Sequence, residues 1–510
     1  MNARIRKQLR NRKRRIAARI DKTRMPRESP VLSASNVRYE ISDRVQALSA
    51  GGIGLVHQMV KRLELDREIN RGLHLLKLYR PYAESDHVLN MAYNLLAGGT
   101  CLEHLELRRN DESYLNALGA QRIPDPTTAG DFCRRFSWLD CVILMEVFNR
   151  VRQTVWRQQT HEFFEEAIIE ADGTMVETGG ECKQGIDYNA YKKQWGYHPL
   201  LVSLANTGEP LYIANRSGNR PSHEQAHAYL DRAIRLCRDA GFRKVRLRGD
   251  TDFSQTAHLD RWDDDDVQFV FGIDAMSNLY DLAGEKIEKD DWRPLQRKER
   301  ASGNPRRRPE NVRARIVEER EFENLKLQQE LVGEFKYRPT KCKRDYRIIV
   351  VWKDIQAFRG QKWLFDDPRC FFYITNDWES SAEEIVVAAN QRCNQENLIE
   401  QLKNGPGALT APLDNLTSNW AYMVIASLAW SLKAWAALLL PVQARWKEKH
   451  QREKQTLLRM DFRTFQNAII QIPAQIIRGA RRITYRLLAW NSWQNVFFRL
   501  HQQLSLPLRC

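Results

Sequence analysis

The feature that most constrains the fold is a change of hydrophobic periodicity at about residue 165. Apolar residues before this point recur at spacings of three and four, whereas short runs of β-favouring residues follow it. The predicted elements are a strand over 167–176, a hairpin of strands 198–205 and 210–215 around the turn 206–209, a helix over 224–238 closed by Gly241, and strands over 244–248 and 267–273. The order β-β-β-α-β-α-β indicates an α/β fold.

Three acidic residues are placed on or next to predicted elements. Asp172 lies in the first strand, Asp250 directly follows the fourth strand, and Glu396 lies in a helix predicted over 381–403. Carboxylates are the side chains that hold Mg²⁺, and a pair of such ions activates a nucleophile and a leaving oxygen on a phosphodiester. The pattern favours a metal-dependent catalytic site, although exposed acids at strand ends are an alternative interpretation.

The predicted helix over 381–403 places three charged residues on one face. Arg392 and Glu396 are separated by about 40° around the helix axis, and Glu396 and Lys403 by about 20°. A carboxylate flanked by two cations suits a metal ligand beside a phosphate-binding track better than it suits core packing. Glu400 lies on the same side and is the rival ligand.

Other polar residues allow both functional and structural interpretations. Asp252 follows Asp250 closely and is an alternative ligand. The acidic run 263–266 is interpreted as a solvated helix end, with loose cation binding as the alternative. His198 and His223 flank the sheet, where they either assist catalysis or serve a structural role.

The composition is that of a multi-domain protein with a polyanionic partner. The chain has 510 residues, of which 43% are hydrophobic and 28% charged, enough for a sizeable core. The net charge of +16 favours nucleic acid as the partner, although ribosomal and membrane-surface proteins share such a charge. Nine scattered Cys without a C-x-x-C pair indicate neither a zinc module nor a disulfide framework, so we expect a reducing cytoplasm.

The N-terminal segment is strongly basic. The first 24 residues carry eleven Lys and Arg and lack the hydrophobic region that a secretory signal requires. Like charges repel, so we expect this arm to be disordered or to form a helix on DNA, with a solubilising tail as the alternative. The DNA-binding candidates in the arm are Arg12, Lys13, Arg14 and Arg15.

Composition and periodicity divide the chain into six regions. They are a basic arm (1–44), a helical DNA-binding or dimerisation domain (45–160), the first part of the α/β core (161–275), an inserted basic and partly β subdomain (276–375), the second part of the core with the helix bearing Glu396 (376–440), and a C-terminal helical region (441–510). In the helical domain, a helix following 124–128 carries Arg134 and Arg135, which either enter a DNA groove or lie on an ordinary packing helix.

One apolar run, 420–442, is long enough to be mistaken for a membrane span. It contains Lys433, and a lysine at the centre of a spanning helix costs about 2.5–3.5 kcal/mol on insertion scales. We therefore expect a buried core helix rather than a spanning or interfacial one, and no membrane partner.

Several short blocks together resemble a known family. Arg392, Glu396 and Lys403 match the Tyr-x2-Arg-x3-Glu-x6-Lys signature of DDE transposases of bacterial insertion sequences. Further blocks resemble those of the transposase DDE domain group 1, and they lie at 171–174, 196–201, 249–253 and 419–421. The resemblance runs from about 45 to 440. Its one departure is Ala389, which stands where the signature has Tyr, so one phosphate contact is expected to be weaker.

The resemblance implies an RNase H-like core with a mixed five-stranded sheet, interrupted by an insertion before the helix bearing Glu396. It also implies two Mg²⁺ ions, with Mn²⁺ as a substitute, held by Asp172, Asp250 and Glu396. A cut-and-paste transposase of this kind acts as a dimer on the terminal inverted repeats and target DNA, in a bacterial cytoplasm at the nucleoid. Arg392 and Lys403 would hold phosphates beside the cut. The alternatives are a metal-dependent nuclease without strand transfer and a catalytically idle DNA-binding protein derived from a transposase.

Overall fold

The computed structural model describes most of the chain. The described residues are 3–22, 37–39, 45–77, 81–180, 182–295, 319–320, 323–359, 362–366, 368–479 and 482–506. The centre of the basic segment predicted over 286–320 lies outside the described residues.

Helices predominate in the described chain before residue 165, and most strands follow that point. The helices are α1 (Ala3–Lys22), α2 (Ile53–Arg62), α3 (Leu65–Gly72), α4 (Glu84–Leu96), α5 (Leu105–Arg109), α6 (Glu112–Leu118), α7 (Pro126–Arg134), α8 (Trp138–Trp156), α9 (Ala226–Ala240), α10 (Leu259–Asp264), α11 (Ser277–Lys286), α12 (Ala382–Asn390), α13 (Cys393–Asn404), α14 (Leu416–Leu438), α15 (Lys447–Arg459), α16 (Phe462–Phe465) and α17 (Gln494–Leu504). The strands are β1 (Ala47–Leu48), β2 (Glu166–Gly173), β3 (Val176–Glu177), β4 (Asp187–Asn189), β5 (Gln194–Tyr197), β6 (Leu200–Leu204), β7 (Glu209–Ala214), β8 (Lys244–Gly249), β9 (Val267–Ile273), β10 (Arg293–Pro294), β11 (Glu323–Tyr337), β12 (Tyr346–Arg359), β13 (Lys362–Asp366), β14 (Arg369–Thr375), β15 (Ala474–Gly479) and β16 (Arg482–Leu487).

The central sheet has the RNase H-like topology. Its strands follow the spatial order β9-β8-β2-β6-β7. β6 pairs antiparallel with β2 and β7, whereas β2 and β9 both run parallel to β8. Helix α9 connects β7 to β8 and ends at Gly241, whose φ of +102° suits glycine. The predicted α/β order and the five core strands are confirmed.

The inserted subdomain continues the same sheet. β14 pairs antiparallel with β9, β12 with β14, and β11 with β12. The apolar runs 347–352 and 370–375 of this subdomain lie in β12 and β14. The helix α12 covers this extension, because Ile385 and Val386 pack with Ile349 and Val351. The insertion therefore supports the helix pair that carries Arg392 and Glu396.

A buried acid joins the helical N-terminal region to the sheet. Glu209 at the start of β7 is fully buried, and its Oε1 accepts hydrogen bonds from Arg152 Nε (3.0 Å) and Trp435 Nε1 (2.8 Å). Its Oε2 accepts a bond from Trp156 Nε1 at 3.0 Å. These donors come from α8 and α14, so one carboxylate connects two helices to the core sheet.

The apolar helix α14 lies inside the protein. Among the described residues it is the one helix long and apolar enough to cross a membrane, and its most apolar stretch is entirely buried. Lys433 donates from Nζ to the Leu458 carbonyl at 2.8 Å, and burial lowers its pKa to about 7. The prediction of a buried core helix is confirmed.

The two ends of the chain pack together. β15 pairs with β1 and with β16, so the C-terminal region contains a hairpin besides its helices. The sequence analysis did not predict this hairpin, although Arg482–Leu487 alternates between polar and apolar residues as a half-buried strand does. α1 lies against the hairpin, where Arg12 Nη1 donates to the carbonyls of Leu487 (3.1 Å) and Ala489 (2.8 Å). Residues 3–22 of the basic arm thus form a helix that packs on this hairpin.

Candidate active site

Two of the three acids reach the same end of the sheet because β2 and β8 are parallel neighbours. Asp172 is the penultimate residue of β2 and lies opposite Leu201 of β6. Asp250 directly follows β8 and caps the turn Thr251–Phe253, since its side chain accepts the N–H of Asp252 at 3.1 Å. The carboxyl ends of parallel strands meet at one edge of a sheet, which is where ligands of α/β folds gather.

The third acid comes from a helix that differs from the prediction. Instead of one helix over 381–403, α12 ends at Asn390 and α13 begins at Cys393. The break is explained by a contact with a strand residue distant in sequence, because Arg248 Nη1 donates to the Ala388 carbonyl at 2.8 Å. That carbonyl would otherwise accept the N–H of Arg392, which bonds to the Ala389 carbonyl instead. Arg392 therefore caps α13 rather than lying within a continuous helix.

The guanidinium of Arg392 lies among all three acids. Its Nη1 is 3.3 Å from Asp250 Oδ2 and 4.0 Å from Asp172 Oδ2, and its Nη2 is 3.7 Å from Glu396 Oε1. The structure thus brings Asp172, Asp250 and Glu396 together around one cation. Both acids of α13 are exposed, but it is Glu396, and not Glu400, that pairs with Arg392.

The two aspartates of the cluster are partly desolvated and lie close to each other. Burial, followed by repulsion from Asp250, raises the pKa of Asp172 to about 7, and the attraction of Arg392 only partly opposes this. Burial also raises the pKa of Asp250, again against the attraction of Arg392. Carboxylates held in this state gain from a cation of higher charge than a guanidinium.

The donor set fits Mg²⁺, which prefers carboxylate oxygens. As they stand, no three His, Cys, Asp or Glu side chains among the described residues are grouped closely enough to hold a metal ion. The reason is visible in the geometry, since Arg392 lies between the acids. The chemistry of these carboxylates suits a divalent cation, whereas in the described arrangement Arg392 is their cationic partner.

A buried ion pair positions this arrangement. Glu170 precedes Asp172 by two residues, and its Oε1 lies 2.6 Å from Arg248 Nη2. Both side chains are buried, and burial raises the pKa of Glu170 while Arg248 opposes the shift. Glu170 lies on the same side of β2 as Asp172, and the role of Arg248 was not predicted from the sequence. The alternation Arg246-Leu247-Arg248 in β8 was the available signal, because a buried strand rarely carries two arginines.

Lys403 lies behind the cluster on α13. Its Nζ donates to the Met175 carbonyl at 2.7 Å, which ties the helix to the chain that follows Asp172. Burial, and to a lesser extent the charge of Lys192, lowers the pKa of Lys403. This places a half-buried cation beside the chain segment that follows Asp172.

The other candidate residues near the site have structural partners. His198 is buried, its Nδ1 donates to the Arg220 carbonyl at 2.8 Å, and burial lowers its pKa. His223 and Asp252 are exposed. In the acidic run, Asp263 pairs with Arg344 at 2.7 Å and Asp264 pairs with the same guanidinium.

The predicted DNA-binding arginines differ in how far they are engaged within the protein. Arg134 pairs with Asp131 at 2.8 Å and with Asp414 at 3.1 Å, whereas Arg135 is exposed. In α1, Arg12 is engaged with the C-terminal hairpin, while its neighbours Lys13, Arg14 and Arg15 are exposed. The exposed members remain candidates for contacts with phosphates.

An RNase H-like sheet with acids from two strand ends and a helix defines the DDE class of enzymes that process polynucleotides. The family model of the transposase DDE domain group 1 matches residues 30–507, and the chain belongs to this family. It is accordingly a DNA transposase, an enzyme that cleaves and transfers DNA strands.

Comparisons with individual proteins are more distant. A solved structure, the synaptic complex of piggyBac transposase with hairpin DNA, aligns with a TM-score of 0.37 and 10% sequence identity. The alignment covers 82% of this chain and 81% of that chain. No curated protein matches the sequence.

Proposed function

We propose that this transposase moves its element by a cut-and-paste reaction, cleaving DNA at the element's ends and joining those ends to target DNA. The observation that supports the proposal is the convergence of Asp172, Asp250 and Glu396 on the guanidinium of Arg392. The partly buried Asp172 and Asp250, whose pKa values are raised, and the exposed Glu396 surround one displaceable cation and form a site suited to metal ions.

The three acids would hold two Mg²⁺ ions, or Mn²⁺ in their place, which activate the attacking oxygen and stabilise the leaving oxygen. Arg392 then exchanges its carboxylate partners for phosphate oxygens of the bound strand, because a guanidinium binds both in the same geometry. Lys403 stays on the Met175 carbonyl and presents its remaining N–H groups to a neighbouring phosphate. Glu170 and Arg248 hold α12 in place against β8 while this exchange occurs.

The partners in this proposal are the terminal inverted repeats of the element and the target DNA, bound by a homodimer in the bacterial cytoplasm at the nucleoid. The net charge of +16 supports attraction to DNA over long range. The exposed cations of α1 and Arg135 supply further phosphate contacts.

The test is cleavage of a duplex carrying the element's own end, measured with and without Mg²⁺. Asp172→Ala and Glu396→Ala are expected to abolish cutting, since each removes a ligand. Glu400→Ala is the matched control, because this acid lies on the same helix but does not pair with Arg392, and it should cut like the wild type. An Asp172→Ala or Glu396→Ala variant that cuts at the wild-type rate would overturn the assignment.

The same reaction distinguishes the alternatives. A joining assay with a supercoiled target yields covalently linked donor and target DNA only if strand transfer follows cleavage. A metal-dependent nuclease gives cut ends without joined product. A catalytically idle DNA-binding protein shifts the duplex in a gel and gives neither product.

A further inference from the structure

A small sheet projects from the chain between β2 and β6, and its strands β4 and β5 form a hairpin that we call the aromatic hairpin (residues 187–197). Tyr188 and Trp195 lie directly opposite each other, with ring centroids 5.7 Å apart. Trp195 is 56% exposed and Tyr191, at the tip, is 88% exposed. Large aromatic side chains left open together are typical of a binding surface.

The other face of the hairpin is closed against the protein. Side chains alternate along β5, so Gly196 faces away from Trp195. A Cβ atom on Gly218 would collide with the carbonyl oxygens of Asp187 and Gly196, which shows how closely the backbones approach. Asn189 Nδ2 also donates to the Gly218 carbonyl at 2.8 Å. The face of the hairpin that carries Gly196 therefore packs against the protein at Gly218. The opposite face, with the aromatic rings, points away from the core.

The hairpin is joined directly to the catalytic cluster. Met175, whose carbonyl binds Lys403, is followed by β3, and Val176 of β3 pairs with Tyr197 of β5. Counting extended residues from Asp172 through this pairing places Trp195 within about 26 Å of Asp172. This is about eight base-pair steps of duplex DNA. A strand leaving the cluster on this side reaches the aromatic face within about eight nucleotides.

Cations accompany the aromatic rings. Lys192 and Lys193 at the tip are exposed, and Lys192 Nζ lies 5.0 Å from the centroid of the Tyr191 ring. Asp187 uses its Oδ1 to accept the N–H of Tyr188 at 2.7 Å, so it serves the local backbone. Aromatic rings beside lysines are the combination that binds single strands, because bases stack on the rings while the lysines neutralise phosphates. Duplex DNA conceals its base faces and offers these rings no equivalent contact.

We propose that the aromatic hairpin binds unpaired nucleotides of the DNA strand beside the cleavage site, with Trp195 and Tyr191 stacking on base faces and Lys192 and Lys193 contacting phosphates. The proposal rests on the proposed function in that the strand is the transposase's own DNA substrate. A DNA end that is fully base-paired binds at the catalytic cluster but does not stack on the aromatic hairpin.

The test is fluorescence anisotropy with the full chain carrying Asp172→Ala and without metal, so that binding is measured in the absence of cutting. Two probes are compared, a duplex of the element's end with a short unpaired flank and the same duplex fully paired. Trp195→Ala is expected to weaken binding of the flanked probe about tenfold and to leave binding of the paired probe unchanged. Trp195→Phe retains a ring and should restore most of the affinity.

Two further variants control for folding and for general surface effects. Tyr191→Ala, at a site too exposed to disturb packing, should show a smaller loss confined to the flanked probe. Trp446→Ala removes a tryptophan that is 52% exposed directly before α15, and should change neither affinity.

Three results would overturn the stacking proposal: equal losses on both probes, no loss on either, or a change in oligomeric state of Trp195→Ala in sedimentation velocity, which would assign the face to a second copy. Failure of the proposed function is seen separately, in the cleavage assay with intact acids. A chain that binds the flanked probe through Trp195 but never cuts refutes the catalytic assignment alone.

Discussion

Glu170 and Arg248 form an ion pair between the parallel strands β2 and β8, with Arg248 Nη2 2.6 Å from Glu170 Oε1 and both side chains buried. The same guanidinium donates to the Ala388 carbonyl of α12. One pair thus fixes the neighbouring strands that carry two acids and the helix break that positions Arg392.

Removing one partner of this pair should destabilise the protein strongly. Arg248→Met leaves the Glu170 carboxylate buried without its cation, at a cost of about 3–5 kcal/mol in the free energy of unfolding. The double variant Glu170→Leu/Arg248→Met removes both charges and should recover much of that loss. Urea unfolding of the two variants measures the difference, and equal losses would show that the pair itself is not the cause.

The stability of the metal-free protein should fall as pH rises from about 4 to about 7. The pKa of Asp172 is raised by folding to about 7, so the folded state holds a proton that the unfolded chain releases near pH 4. The contribution is at most about 4 kcal/mol, present in full below pH 4 and lost above pH 7. Melting temperatures of the wild type and of Asp172→Asn across this range isolate the contribution of Asp172 to stability, since the amide does not titrate. A wild-type profile parallel to that of Asp172→Asn contradicts the prediction.

Replacing Arg392 by glutamine should strengthen Mg²⁺ binding while impairing cleavage. In the wild type a divalent ion must displace the guanidinium from Asp172, Asp250 and Glu396, and in Arg392→Gln this competition is absent. We expect roughly tenfold higher affinity, or about 1.4 kcal/mol, from titration calorimetry.

The control for this titration is Arg134→Gln, which removes another arginine paired with two acids, Asp131 and Asp414. It should leave Mg²⁺ affinity unchanged. Weaker Mg²⁺ binding by Arg392→Gln would mean that the arginine helps to assemble the metal site instead of competing with it.

Gly173→Ala should disturb the loop that faces Asp172. A Cβ at this position would lie 2.9 Å from Ser222 Oγ and 3.0 Å from His198 Cε1, closer than ordinary contacts allow. We expect a loss of about 1–3 kcal/mol in urea unfolding together with slower cleavage. Gly284→Ala in α11 has no atom within 4 Å of the added Cβ and should be neutral or stabilising by up to about 1 kcal/mol. Equal effects of the two substitutions would rule out the steric explanation.

Local pattern was sufficient for the core elements and for the candidate acids. Strand alternation, the turn at 206–209 and Gly241 each act within a few residues, so they are visible in the sequence. The continuous helix over 381–403 was the error, because its interruption depends on Arg248, a residue more than a hundred positions away. No local signal marks residues 391–392 as a break, since neither glycine nor proline is present there.

Regions that the sequence pattern separates are joined by strand pairing in the structure. The insertion was treated as a subdomain of its own, yet β14 pairs with β9 and extends the core sheet. Likewise β1 pairs with β15 near the opposite end of the chain. Such strand pairings depend on which edge strands of a sheet are still unpaired after the core has formed. The hydrophobic periodicity of a segment does not carry this information.

The sequence by itself determined the α/β order, the strongly basic charge and the identity of the three acids, because these depend on residue types and short spacings. Only the tertiary structure decided that Asp172, Asp250 and Glu396 meet at Arg392, that Glu396 rather than Glu400 is the paired acid, and that Trp195 is exposed on the aromatic hairpin. The physical reason is that these relations are set by packing between distant segments. Parallel pairing of β2 with β8 brings two acids together, and the bond from Arg248 to Ala388 turns the third toward them.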